Sequence, residues 1–106
     1  MIDPEKLIAL SDDDVRQVLR VVETKTVVTV LGAAPPDVAA RVMAALANRA
    51  AQFLKDEIEL QGRVSADEAR AAQRAFGRDL DQAAAEDRLP ARLALGLRAD
   101  QSPGRR

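Results

Sequence analysis

The stretch "NRAAQFLKDEIELQG", which runs from Asn48 to Gly62, shows how this chain folds. It begins with a residue type that caps helices and ends with glycine, which often terminates them. Apolar residues recur at steps of three and four, as expected for the core face of a helix: Ala50, Phe53, Leu54 and Ile58. Polar residues recur on the opposite side: Arg49, Gln52, Asp56 and Glu59. We predict an amphipathic helix whose polar face is either solvated or contacts a partner.

The segments on both sides also predict helices. Ser11 precedes three acids and a helical apolar pattern, and Ser65 with Glu68 forms the S-x-x-E pattern of a capping box. A further helix is predicted after Pro35 and Pro36, because proline is favoured in the first turn. Residues 1–89 therefore predict one all-α domain, a small right-handed helical superhelix or bundle of about six helices.

The stretch "TKTVVTVLGAA", from Thr24 to Ala34, is ambiguous between a strand and a helix. Its β-branched residues favour a strand. Its adjacent apolar pairs, Val27–Val28 and Val30–Leu31, suit a buried helix better, and the rest of the sequence offers no partner strand. We predict a short helix that ends near Gly32 to Ala34. Beyond Pro90 the apolar pattern thins: "ARLALGLR" is compatible with a weak helical turn or two, and residues 90–106 as a whole are predicted to form a weakly structured to disordered tail.

Composition excludes several classes of function. The formal net charge is -1, with 16 basic and 17 acidic residues, whereas a nucleic-acid-binding protein needs a basic excess on one face. The chain has no Cys and no His, which removes thiol chemistry and the commonest metal ligand. No apolar run approaches the 18 or so residues of a membrane-spanning helix. We expect no nucleic-acid partner, no metal, no cofactor and no transmembrane segment.

The carboxylates do not predict catalysis. The run Asp12–Asp14 lacks the alternating spacing and the glycine of a calcium loop, and acids are favoured at a helix N-terminus. A second group, Asp56, Glu57 and Glu59, lies on a helix of a small alanine-rich domain, which is a poor setting for the concave site that acid–base catalysis requires. We therefore predict a protein that is not an enzyme.

Three stretches together resemble a known family. They are "EKLIALSDDDVRQVLRVVETKTVVTVLGAA", "NRAAQFLKDEIELQG" and "ADEARAAQ", where Gln73 falls on a Glu-x-x-Gln-type element. From about Glu5 to Leu89, without a gap, the chain resembles the C-terminal domain of the flagellar motor switch protein FliG. The Arg-Ala-Ala…Lys-Asp-Glu block that ends in glycine is the most specific part of the resemblance.

The resemblance implies a function for the helix that follows Asn48. In this family the helix is the torque helix, and its charged face meets the cytoplasmic loop of the stator protein MotA. The family's Arg corresponds to Arg49 and its two adjacent acids to Asp56 and Glu57; weaker candidates nearby are Lys55, Glu59 and Arg63. The implied location is cytoplasmic, at the inner face of the inner membrane in the flagellar basal body, with MotA or other switch-complex proteins as partners.

Departures from the family keep a second function open. A family Lys falls on Gly32 and a family Arg on Ser65, so two of the five charges are missing, and Arg63 is the candidate substitute for the lost Arg. The stretch "MIDP" retains only the Met of the family's Met-Phe-x-Phe hinge, and the two domains that precede this one in FliG are not in this chain. The loss of both hinge Phe residues favours a stand-alone protein over a fragment. The alternative is a helical protein-interaction adaptor that has the fold without the motor role. The oligomeric state is left open.

Overall fold

A computed structural model describes residues 1–99 of the chain. These residues form a 3-10 helix, Pro4–Ala9, followed by six α-helices: α1 (Asp12–Val21), α2 (Thr24–Ala33), α3 (Pro36–Ala44), α4 (Asn48–Gln61), α5 (Ala66–Ala85) and α6 (Ala91–Gly96). Within residues 1–99 extended pairing is limited to one antiparallel bridge, between Ile2 and Arg98. The prediction of an all-α fold is confirmed.

Local sequence signals set several helix ends. The Ser11 hydroxyl accepts from the Asp14 amide at 3.1 Å and caps α1. The capping box of α5 is complete, since the Glu68 amide donates to Ser65 Oγ at 3.1 Å and the Ser65 amide donates to Glu68 Oε1 at 2.9 Å. Gly62 ends α4 with a φ of 70°, a left-handed conformation that glycine adopts without a steric penalty. In each case the hydrogen-bonded donor and acceptor belong to residues no more than four positions apart, so the local sequence is sufficient to define the helix end.

The ambiguous stretch from Thr24 is a helix, as predicted. α2 packs against α4 and α5 and lies at the centre of the domain. Five of its side chains are buried: Thr26, Val27, Val28, Val30 and Leu31. β-Branched residues have a lower helix propensity than alanine, but the difference is only a few tenths of a kcal/mol per residue. The free energy gained by burying these side chains is larger, so the segment is helical.

The core is built on α5. The side chain of Phe76 is fully buried, and the other residues of the same apolar stripe turn inward with it: Ala72, Leu80 and Ala83, with Ala69 half-buried. Small and branched aliphatic residues from the other helices fill the space around this single buried aromatic ring. This packing holds α2 against α5 and leaves α4 on the outside of α2.

The structure differs from the sequence-based prediction for residues 90–99. Ala91–Gly96 forms α6, which packs against α5 with Leu93 and Leu97 buried. The Leu97 carbonyl accepts from the Asp3 amide at 2.8 Å, so this segment also holds the N-terminal residues. Two buried leucines four residues apart are enough to anchor a short helix to an existing core. The rest of the predicted tail, residues 100–106, lies outside the described residues.

Two details of α4 also differ from the prediction. Its N-cap is Ala47, which has no capping side chain, and Asn48 is the first helical residue. Only Leu54 of the predicted apolar set is fully buried; Ile58 is half-buried, Ala50 is exposed and Phe53 is 52% exposed. The reason is the position of α4 at the edge of the domain, where its neighbours cover one narrow side of the helix.

Candidate protein-interaction surface

The sequence-predicted site residues lie on the outer side of α4. Arg49 and Asp56 are both exposed and are seven residues apart, so they lie on nearly the same face, two turns from each other. Glu57 is half-buried on the flank that faces α2. The weaker candidates Lys55 and Glu59 are exposed on the flank that faces α3. Arg63 is exposed but lies beyond the end of the helix, after Gly62, and does not belong to this face.

Within residues 1–99, the charged side chains of α4 form no ion pairs. Helices α1, α3, α5 and α6 each have at least one charged side chain in an ion pair, for example Asp12 with Arg41 at 2.7 Å and Arg92 with Asp14 at 3.0 Å. Among residues 1–99, by contrast, none of the charged residues of α4 has an oppositely charged atom within 4.0 Å: Arg49, Lys55, Asp56, Glu57 and Glu59. This includes Lys55 and Glu59, whose spacing of four would permit a pair. Arg49, Lys55, Asp56 and Glu59 are exposed and can pair with charges on another molecule, although Asp56 Oδ1 already accepts from Gln52 Nε2 at 2.8 Å.

Two large apolar side chains lie beside these charges, and sequence analysis assigned one to the core and missed the other. Phe53 is 52% exposed and Leu60 is 81% exposed. Leu60 falls outside the core stripe, but its spacing of seven from Phe53 is the signal that places both on one side of the helix. Each borders a depression in the seam between α2 and α4, and Thr24 lines both depressions.

A second groove runs along the other flank of α4, between α3 and α4. Its volume is about 630 Å³, and small side chains form much of its lining, including Ala39, Ala40 and Ala51. Lys55 and Glu59 border this groove. Its large apolar side chains, Met43 and Ile58, are half-buried, whereas the exposed large apolar side chains of α4, Phe53 and Leu60, lie on the α2 side.

The two positions without the family charges have structural roles here. Ser65 caps α5 through its hydroxyl. Gly32 lies under the Gln61 side chain, which donates to the Val28 carbonyl at 3.1 Å, while the Thr29 hydroxyl lies 3.0 Å from Gln61 Oε1. A Cβ atom at Gly32 would overlap Gln61 Nε2. The missing side chain therefore lets the C-terminal end of α4 dock onto α2.

The pKa shifts of acidic residues in the described chain accompany structural contacts. Hydrogen bonds from Arg92 lower the pKa of Asp14, and the backbone amide of Ser65 lowers the pKa of Glu68. Both carboxylates hold helix N-termini in place. Residues 1–99 contain no cluster of three or more side chains that could hold a metal ion. None of the helices in this part of the chain is both long and apolar enough to cross a membrane.

Comparison with known proteins identifies one family. The model of the FliG C-terminal domain matches residues 1–90, which include the 3-10 helix and α1 to α5. No curated protein sequence matches the chain. The matched region contains the whole outer face of α4.

Proposed function

This chain belongs to the FliG C-terminal domain family, a family of flagellar motor switch domains, and we propose that its α4 is the rotor surface that meets the stator. In this proposal the outer face of α4, with Arg49, Asp56 and Glu57, contacts the cytoplasmic loop of MotA. The domain acts by binding and not by catalysis. It works at the cytoplasmic face of the inner membrane, in the basal body, next to other switch-complex proteins.

The observation that carries the proposal is the set of unpaired charges on α4. Charges already paired within a domain must break those ion pairs before they pair with another molecule, whereas among residues 1–99 the α4 charges have no ion pair to break. Solvent-exposed charge pairs contribute mainly to encounter rate and orientation, and little to affinity. A contact that forms and breaks repeatedly during rotation requires fast, oriented encounter together with low affinity.

Charge reversal on α4 tests this proposal. We would titrate the full chain and its variants Arg49→Glu and Asp56→Arg with the purified MotA cytoplasmic loop from the same organism. Each variant should weaken binding about five- to tenfold at low salt, or about 1–1.4 kcal/mol. The loss should shrink as ionic strength rises, because salt screens exposed charges. Reversal of the partner charge on the loop should restore part of the binding.

Arg74→Glu provides the matched control. Arg74 is an exposed arginine on α5 that has no ion pair within residues 1–99, so its reversal changes the net charge as Arg49→Glu does, but on a different helix. The proposal requires that this variant bind within about twofold of the parent. Equal losses for both variants would show that only the net charge matters, and the α4 surface would then have no special role.

The adaptor function is the competing proposal, and the exposed Phe53 and Leu60 are the observation that favours it. An adaptor would bind its partner through apolar area, and reversal of the α4 charges would leave binding unchanged. The position of the gene offers an independent test. A gene among flagellar genes, in a genome without another FliG, supports the motor function, and a separate complete FliG supports the adaptor.

A further inference from the structure

We propose that the seam between α2 and α4 is a docking groove for an amphipathic helix of the stator loop, with Phe53 and Leu60 as its apolar anchors. This inference rests on the proposed function and adds to it the binding mode and the chemistry of the partner. The partner helix has apolar residues one to two turns apart, and a Lys or Arg on the same face. Electrostatic contact alone does not require either anchor.

The first argument is the spacing of the two apolar residues. Seven residues of α-helix span about 10 Å, so Phe53 and Leu60 form a short ridge two turns long. A helix that packs beside α4 presents side chains at the same interval, and contacts with residues at i, i+3, i+4 and i+7 are typical of helix-in-groove recognition. The ridge therefore matches the length of two turns of a partner helix.

The second argument is the shape of the seam. Phe53 borders a depression of about 190 Å³ that it shares with Leu19 and Leu46. Leu60 borders another of about 480 Å³, which α2 lines on its other side. Thr24 lines both, so the two depressions are neighbours along α2. Side chains from a helix lying over the seam would fill these depressions and cover the two exposed apolar residues, which favours binding through the area removed from water.

The third argument is charge. Asp56 and Glu57 lie between Phe53 and Leu60 along the helix, and Glu57 lines the same depression as Leu60. Neither carboxylate has a cationic partner among residues 1–99. Lys25 of α2 lines the same depression as Glu57 but does not form an ion pair with it within residues 1–99, and the charges of Lys25, Asp56 and Glu57 sum to −1. Burial of this group under a purely apolar helix is unfavourable, so the occupant places a Lys or Arg near the middle of its apolar face, where it offsets the net negative charge.

The same charges argue against a second copy of this chain as the occupant. A symmetric dimer that packs Phe53 of each copy on Leu60 of the other has its axis between residues 56 and 57. That arrangement brings Asp56 of each copy against Glu57 of the other and places four carboxylates together. Like charges at close range disfavour the contact. A different chain with a basic residue avoids this repulsion.

The test uses the full chain, its variants Phe53→Gln and Leu60→Gln, and the MotA cytoplasmic loop as the probe. Leu95→Gln is the matched control, because Leu95 is 61% exposed on α6 and lies outside the groove. We expect binding to fall at least tenfold for Phe53→Gln and at least fivefold for Leu60→Gln. Leu95→Gln should bind within about twofold of the parent. The dependence of binding on salt should be unchanged in both groove variants, since their charges are intact.

The outcomes separate this inference from the proposed function. If charge reversal weakens binding and the two groove variants bind like the parent, the α4 charges act alone and the inference that the groove binds the partner helix is wrong. If charge reversal leaves binding of the MotA loop unchanged, the proposed function fails and this inference fails with it. Sedimentation of the unliganded chain tests the occupant. A dimer that Phe53→Gln dissociates would show that a second copy fills the groove and would overturn the assignment of a basic partner helix.

Discussion

The side chain of Gln61 lies directly over Gly32 and joins the end of α4 to α2. Its amide nitrogen donates to the Val28 carbonyl at 3.1 Å, and its oxygen lies 3.0 Å from the Thr29 hydroxyl. Gly32 leaves the space that this arrangement needs, because a Cβ atom there would overlap Gln61 Nε2. The contact sets the position of α4, and with it the position of the proposed partner surface.

A double-mutant cycle between Gly32 and Gln61 tests this relationship. Gly32→Ala should displace Gln61 at a cost of about 1 kcal/mol in hydrogen bonds, against a gain of up to about 1 kcal/mol in helix propensity. We expect the single variant to be nearly neutral. In a Gln61→Ala background the same change should raise the free energy of unfolding by up to about 1 kcal/mol. Denaturant unfolding of all four proteins measures the coupling, and simple additivity would show that the two residues act independently.

The charged face of α4 should contribute little to folding. Arg49→Glu and Asp56→Arg should each change the free energy of unfolding by less than about 1 kcal/mol, because both residues are exposed and neither has an ion pair in the described part of the chain. Thermal melts of the two variants beside the parent check this. If either variant is unfolded at room temperature, the residue has a structural role, and the proposed partner surface would lose its basis.

The α6 segment should be required for stability. The Leu97 side chain is fully buried, so Leu97→Ala should lower the free energy of unfolding by about 2–5 kcal/mol. Leu95→Ala, at a position 61% exposed on the same helix, should change it by less than about 0.5 kcal/mol. Truncation after Ala99 should leave the melting temperature unchanged, because residues 100–106, "DQSPGRR", include no large apolar side chain. Equal effects of the two leucine variants would refute the packing of α6.

The contact between Arg92 and Asp14 should make stability depend on pH. Arg92 donates to both carboxylate oxygens at 3.0 Å, and these bonds hold the pKa of Asp14 below its usual range. A carboxyl with a lowered folded-state pKa stabilises the fold above its unfolded-state pKa of about 3.9, and the contribution disappears as the pH falls through the folded-state value. Arg92→Gln should therefore melt below the parent at pH 7, and the two curves should converge in acid.

Arg74→Gln is the control for that experiment, since Arg74 forms no ion pair among the described residues. Its melting temperature should follow that of the parent across the whole pH range. A difference between Arg92→Gln and the parent that persists at the lowest pH would mean that Arg92 stabilises the fold through packing of its aliphatic stem and not through Asp14.

Gly77 in α5 is a position where the fold should accept a larger residue. A Cβ atom there would lie 3.4 Å from the Met1 nitrogen and 3.7 Å from Ile2 Cγ2, which is ordinary van der Waals contact. Gly77→Ala should raise the free energy of unfolding by about 0.5–1 kcal/mol, because alanine is the better helix former. Chemical denaturation checks the gain. A loss of stability would show that the N-terminal residues cannot absorb the added methyl group.

The sequence by itself determined the features that depend on residues close together in the chain. Ser11, Ser65 with Glu68, and Gly62 define helix ends through hydrogen bonds or backbone conformations that involve neighbouring residues, so their patterns are sufficient to predict them. The helical repeat in the stretch from Asn48 and the apolar stripe of α5 are similarly local. Together with the family match they define an all-α FliG C-terminal domain.

Only the tertiary structure decided which faces are covered. Phe53 and Phe76 both follow helical apolar patterns, yet Phe76 is buried and Phe53 is 52% exposed, because α5 lies in the core and α4 at the edge. Leu97 follows a thinner apolar pattern and is nevertheless buried, because α6 packs against α5 and the N-terminal residues. The fit of Gln61 over Gly32 joins residues 29 positions apart. Burial and long-range contacts depend on the arrangement of whole helices, and periodicity within one helix carries no information about that arrangement.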